Sequence, residues 1–126
     1  MRLEIHGSEL AAATAAAALS WVGHQVHWVP HASMPWPRLL EADWLRREPD
    51  LMTGLQEGRA LGTLTVEGSD TPQPGAIDIL WLALSPEQRE EAGDLVEQAA
   101  ASHGGTLMLV NNSTFPVGET ERLESR

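Results

Sequence analysis

The chain has 126 residues, enough for one domain that buries about two-thirds of its unfolded surface. Its net charge is -10 and all 8 basic residues are arginine, which argues against nucleic acid, whose phosphates need a basic footprint. Cysteine is absent, excluding a disulfide framework, a thiolate metal site and a cysteine nucleophile, and no apolar run approaches the ~20 residues of a membrane span.

Residues 2–6 (RLEIH) alternate apolar Leu3 and Ile5 with polar neighbours, as a short strand does. Gly7 ends that strand, and Ser8 or Glu9 opens a helix to about Val22 built on alanine, the best helix former. Gly23 stops it, and residues 25–29 make a second strand closed by Pro30. Leu39, Leu40, Trp44 and Leu45 share helical spacing, predicting a helix over residues 38–47. Pro49 then opens another, to about Glu57, with Gly58 as its stop. Residues 63–66 form a β-branched strand, followed by a turn-rich loop over residues 68–75. The nearly continuous apolar run IDILWLAL, residues 77–84, reads as a strand buried on both faces, with Trp81 in the core. Ser85-Pro86-Glu87 starts a helix to about Ser102, and residues 106–110 form a fifth strand. A loop over residues 111–117 and the first turns of a final helix, residues 118–126, complete the chain. The expected fold class is α/β, a Rossmann-like parallel sheet with helices on both faces in a single domain.

Three stretches resemble the N-terminal NAD-binding domain of the UDP-glucose/GDP-mannose dehydrogenase family, in the family's order and spacing. Gly23-His24-Gln25-Val26 is similar to its Gly-His-x-Val entering strand two. Glu48-Pro49-Asp50-Leu51 through Gly58-Arg59 is similar to its Glu-Pro-Gly-Leu helix and closing Gly-Arg. Ser113-Thr114-Phe115-Pro116-Val117-Gly118 is similar to its Ser-Thr-Val-Pro-Val-Gly loop. The resemblance implies NAD on this domain, in enzymes that oxidise the primary alcohol of a nucleotide sugar to a carboxylate. It also implies that the substrate-binding and cysteine-bearing regions belong to central and C-terminal domains absent here. A cysteine-dependent oxidation is then beyond this chain alone.

The cofactor positions depart from that family pattern. In Gly-x-Gly-x-x-Gly/Ala the first glycine makes the tight turn, the second admits the pyrophosphate and the third permits close helix–strand packing. Here Gly7 and Ala12 fill the first and third positions, with Ser8 at the helix start, but Glu9 stands at the second. At about 4 Å and an effective dielectric near 20, a carboxylate facing a phosphate charge costs roughly 4 kcal/mol. The structural reading is instead expected for Glu9, an outward swing that caps the helix start, where the dipole favours an acid. At the end of strand two, where the family has an acid for the ribose hydroxyls, this chain has Pro30. His31 is near enough in sequence to contact a ribose, but its leading reading is a loop histidine. Ser113 and Thr114 are the retained candidates: the family's matching threonine lies near the reaction centre, while the alternative is that both only satisfy their loop's backbone. The exit of strand four, Ala83-Leu84-Ser85-Pro86, is shorter and plainer than the family's Gly-Thr-Pro-rich loop.

The expectation is a degenerate domain with no catalytic residue of its own and no bound cofactor. The alternative is a NAD-binding module of a nucleotide-sugar 6-dehydrogenase whose substrate and cysteine-bearing domains lie on another chain or were removed. No Ser-His-Asp set follows from spacing. His27 and His31 straddle a strand end, and His6, His24 and His103 sit on separate elements, so no metal site is expected. Trp36 and Trp44 flank the region of an adenine pocket, either filling it or forming a contact surface. Because the family's domain packs on a helical neighbour, a lone copy is expected to expose apolar surface and to pair as a homodimer or with a partner protein. The N-terminus lacks a basic region followed by a hydrophobic block, so a cytoplasmic location is expected.

Overall fold

The computed structural model describes residues 1–7, 10–30, 36–72, 76–84, 89–103 and 108–111. They form a Rossmann-like α/β domain around one five-stranded parallel sheet in the order β3-β2-β1-β4-β5. The strands are β1 (Arg2–His6), β2 (Gln25–Val29), β3 (Leu64–Val66), β4 (Ile79–Leu82) and β5 (Met108–Asn111). The helices are α1 (Leu10–Trp21), α2 (Trp36–Leu39), α3 (Asp43–Arg46), α4 (Pro49–Leu61) and α5 (Arg89–His103).

Alternation assigns the two faces. Leu3 lies level with Val26 and Ile79, and Ile5 with Trp28 and Trp81, so these side chains share one side of the sheet. Leu64 and Val66 extend that side across β3. The alanine face of α1 and Leu55 of α4 pack into this core. On the other side Leu80, Leu82 and Leu84 are buried with Ala92, Val96 and Ala99 of α5. Apolar residues on both sides of β4 are what its unbroken hydrophobic sequence requires.

Several expectations are corrected. The single helix over residues 38–47 is two short helices, α2 and α3, separated at Ala42, whose backbone is extended at φ -66° and ψ 129°. Leu39 and Leu45 are both fully buried. Six residues apart on one helix they would diverge by about 120°, and the break lets both reach the core. Helix α4 does not stop at Gly58. It continues to Leu61, and Gly62 ends it with φ 80°. Gly58 serves close approach: a Cβ there would lie 2.8 Å from Ser20 Oγ and 3.1 Å from Leu64 Cβ. Gly54 faces Ala17 one turn earlier, so α1 and α4 meet through small residues. Strand β4 is shorter than residues 77–84, and Trp81 packs half-buried against the main core, with no partner for its indole nitrogen among the described residues. The final helix over residues 118–126 lies outside the described residues.

Candidate functional site

The crevice at the carboxyl ends of β1 and β4, where the strand order reverses, is where open α/β sheets hold ligands. Here β1 ends in a turn built on Gly7, at φ 148°, a conformation that favours glycine. Its N–H donates to Val29 O at 3.1 Å, and Ala83 N–H donates to His6 O at 2.9 Å, so the strands stay joined at the crevice floor. A Cβ on Gly7 would lie 2.3 Å from Ala83 O and 3.0 Å from Ala12 Cβ. Gly7 and fully buried Ala12 thus do what the first and third fingerprint positions require, a tight turn and close helix packing.

Sequence reading missed what lies beneath this turn. Trp28, fully buried on β2, donates its indole N–H to Gly7 O at 2.7 Å. A tryptophan in the second strand, level with Ile5 and so just short of the glycine, was the available signal. Pro30, expected to offer nothing to a ribose, is buried where the chain leaves β2. Its side chain carries no hydrogen-bonding group. Ser8, Glu9, His31, Ser113 and Thr114 lie outside the described residues, so of the proposed cofactor contacts the structure brings together Gly7 and Ala12.

A second polar assembly sits at the β3 edge. Arg59, in the last turn of α4, donates Nε and Nη2 to the two carboxylate oxygens of Asp70 at 2.9 and 2.6 Å. The guanidinium lies 4.6 Å from the Trp36 ring centroid. Asp70 also accepts Val66 N–H at 2.9 Å, and the Asp70 N–H returns to Val66 O at 2.9 Å. The turn therefore occupies hydrogen-bonding groups that an edge strand would otherwise present to another chain. The hydrogen bonds from Arg59 hold the Asp70 carboxyl below its ordinary pKa, with burial opposing and the Val66 N–H helping. Trp36 thus supports an arginine, while Trp44 packs against the main core. Around this pair runs an open groove lined in part by Trp36, Gln56, Arg59, Leu64, Thr65 and Asp70.

The histidines His6, His24 and His27 occupy separate sites. His24 Nδ1 lies 3.1 Å from the N-terminal ammonium, and His6 Nε2 is 2.6 Å from Glu4 Oε1. His27 bridges Thr65 and Glu67. Among the described residues, no group of three His, Asp or Glu side chains converges as a metal site. No helix among them is long and apolar enough to cross a membrane.

No known family model matches the chain, and no curated protein matches its sequence. The Rossmann-like architecture rests on the strand order and the parallel pairing.

Proposed function

We propose that this chain is a degenerate Rossmann domain related to the N-terminal domains of UDP-glucose/GDP-mannose dehydrogenases. In this reading it does not hold NAD in the usual way, and it acts through protein contacts or an altered ligand site. The observation that carries the proposal is buried Pro30 at the end of β2. A dinucleotide domain of this kind places there an acid for the ribose hydroxyls. The missing cysteine adds that the family's oxidation is not performed by this chain alone.

Protein contacts are supported by apolar side chains at the ends of α1 and α4. Trp21, Val22 and Leu61 are 69%, 66% and 72% exposed, and all three lie where these helices finish. Both helices run back from the carboxyl ends of the strands, so this apolar surface lies at the opposite, amino-terminal edge of the sheet. Large side chains of this kind serve as interface anchors.

Calorimetric titration with NAD and NADH tests the cofactor half. No heat at millimolar nucleotide is expected, and a dissociation constant tighter than about 100 μM overturns it. The double variant Glu9→Gly with Pro30→Asp is expected to gain affinity. Sedimentation tests the contact half: association at high concentration is expected, and a clean monomer counts against self-pairing.

A further inference from the structure

Helix α1 carries no charged residue along its 12 positions. Its inner side, with Ala12, Ala13, Ala15, Ala16 and Ser20, is buried. Its outer side, with Ala11, Thr14, Ala18 and Trp21, recurs at three- and four-residue spacing and is exposed. The other long helices turn charge outward instead, Asp50 and Glu57 on α4 and Glu90, Glu91, Asp94 and Glu97 on α5. A helix without a charged face belongs in an interior.

An open groove runs between the outer side of α1 and Trp81, lined in part by Leu10, Ala11, Thr14 and Ala18. Trp81 lies level with Ile5 and Val110, on the α1 side of the sheet, and Met108 on the same side is 57% exposed. Helix α5 packs on the opposite side of β4. The indole nitrogen of Trp81, on the wall of the groove, is sealed from water with no partner among the described residues. A donor in that state costs about 1–3 kcal/mol until an acceptor reaches it.

Charge selects the occupant. With a net charge of -10, two copies of the chain repel wherever their carboxylates meet, and α1 brings none. A basic partner is drawn to the acidic faces of α4 and α5, since α1 offers it no counter-charge. The groove therefore admits an uncharged helix with small side chains, and α1 is itself such a helix. Its outer side also reads alike from both ends about residue 16: Leu10 and Ala11, then Thr14, then Ala18, then Trp21 and Val22. Set antiparallel on a two-fold axis, Thr14 meets Ala18 of the second copy, and Ala11 meets Trp21. Small residues then permit close helix approach, and each indole lies on a methyl group.

We infer that α1 is a self-pairing helix, by which two copies of the chain associate antiparallel, each α1 lying in the other's groove beside Trp81. The inference rests on the reading that the chain acts through protein contacts, and it names the surface and the partner.

Sedimentation equilibrium of the whole chain is expected to show a dimer. Ala18→Glu sets a carboxylate from each copy into the uncharged contact and is expected to raise the dimer dissociation constant at least about a hundredfold. Leu61→Glu, at an exposed apolar position off α1, is expected to leave it unchanged. Because the chain has no cysteine, introduced thiols report the register. A mixture of Thr14→Cys and Ala18→Cys chains is expected to form a disulfide-linked dimer faster than either variant alone. Circular dichroism checks each variant, and if Ala18→Glu does not fold, the cysteine mixture decides. Association that survives Ala18→Glu but is lost in Leu61→Glu, or cross-linking no faster in the mixture, overturns the pairing and leaves the contact reading standing. A chain that dimerises only after removal of residues 112–126 assigns the groove to that segment and also overturns it. A clean monomer of the native chain at high concentration overturns the pairing and self-association together.

Discussion

On one side of β1, β2 and β3, Leu3, Ile5, Val26, Trp28, Leu64 and Val66 are sealed against the core. On the other side their immediate neighbours Glu4, His6, His27 and Thr65 satisfy one another through side-chain hydrogen bonds. One backbone serves both, since successive side chains of a strand point to opposite faces. The apolar side supplies transfer free energy at roughly 25 cal/mol per Å² of buried surface. The polar side gives only about 1 kcal/mol net per hydrogen bond. It does, however, tie β2 to β3 through the His27–Thr65 contact. Apolar burial and polar pairing are thus separated by a single residue of register.

Substitutions on the apolar side are expected to have the largest effect. Trp28→Ala removes a fully buried indole and leaves Gly7 O without that donor. It is expected to lower unfolding free energy by about 3–5 kcal/mol, measured by urea denaturation. His27→Gln, one residue away on the polar side, should cost far less. An equal loss at both positions would erase the distinction between the faces.

Gly7→Ala comes next, at the turn that closes the apolar side. Its Cβ would meet Ala83 O, and the backbone conformation resists any side chain. The expected loss is about 2 kcal/mol or more. A thermal midpoint unchanged by this substitution would contradict the tight packing of β1 against the exit of β4.

The smallest effect belongs to Asp70, at the β3 edge where the two sides meet. Its carboxyl pKa is lowered in the folded chain, chiefly by the hydrogen bonds from Arg59. A lowered folded pKa contributes stability that is present above the unfolded value and lost as pH falls through the folded one. The contribution therefore holds at neutral pH and fades below about pH 4. Asp70→Asn is expected to cost about 1 kcal/mol at pH 7 and to flatten the acid limb of the stability profile. A parallel offset at every pH would assign its role to packing alone.

Periodicity made most of the fold legible. The bounds of β1 and β2 follow from Leu3 and Ile5 and from Val26 and Trp28, because period two with one buried face leaves no other register. Local signals failed where tertiary contact overrode them. Gly58 has the composition of a helix stop, yet its missing side chain is used against Ser20 and Leu64. Leu39 and Leu45 share helical spacing with their neighbours, yet both reach the core only because Ala42 interrupts the helix. At the candidate site Gly7 and Ala12 were legible because the fingerprint is local. The Thr65–His27–Glu67 set was not, since His27 stands 38 and 40 residues from its partners and only the parallel pairing joins them.

The bond from the Trp28 indole to Gly7 O has a practical consequence. A sealed indole emits at shorter wavelength than one in water, and its emission responds to the group its N–H meets. Trp21, at 69% exposure, contributes at the red edge of the spectrum. Subtracting the spectrum of Trp28→Phe, which keeps the other four tryptophans, therefore yields an intrinsic optical gauge of the first turn without a label being attached.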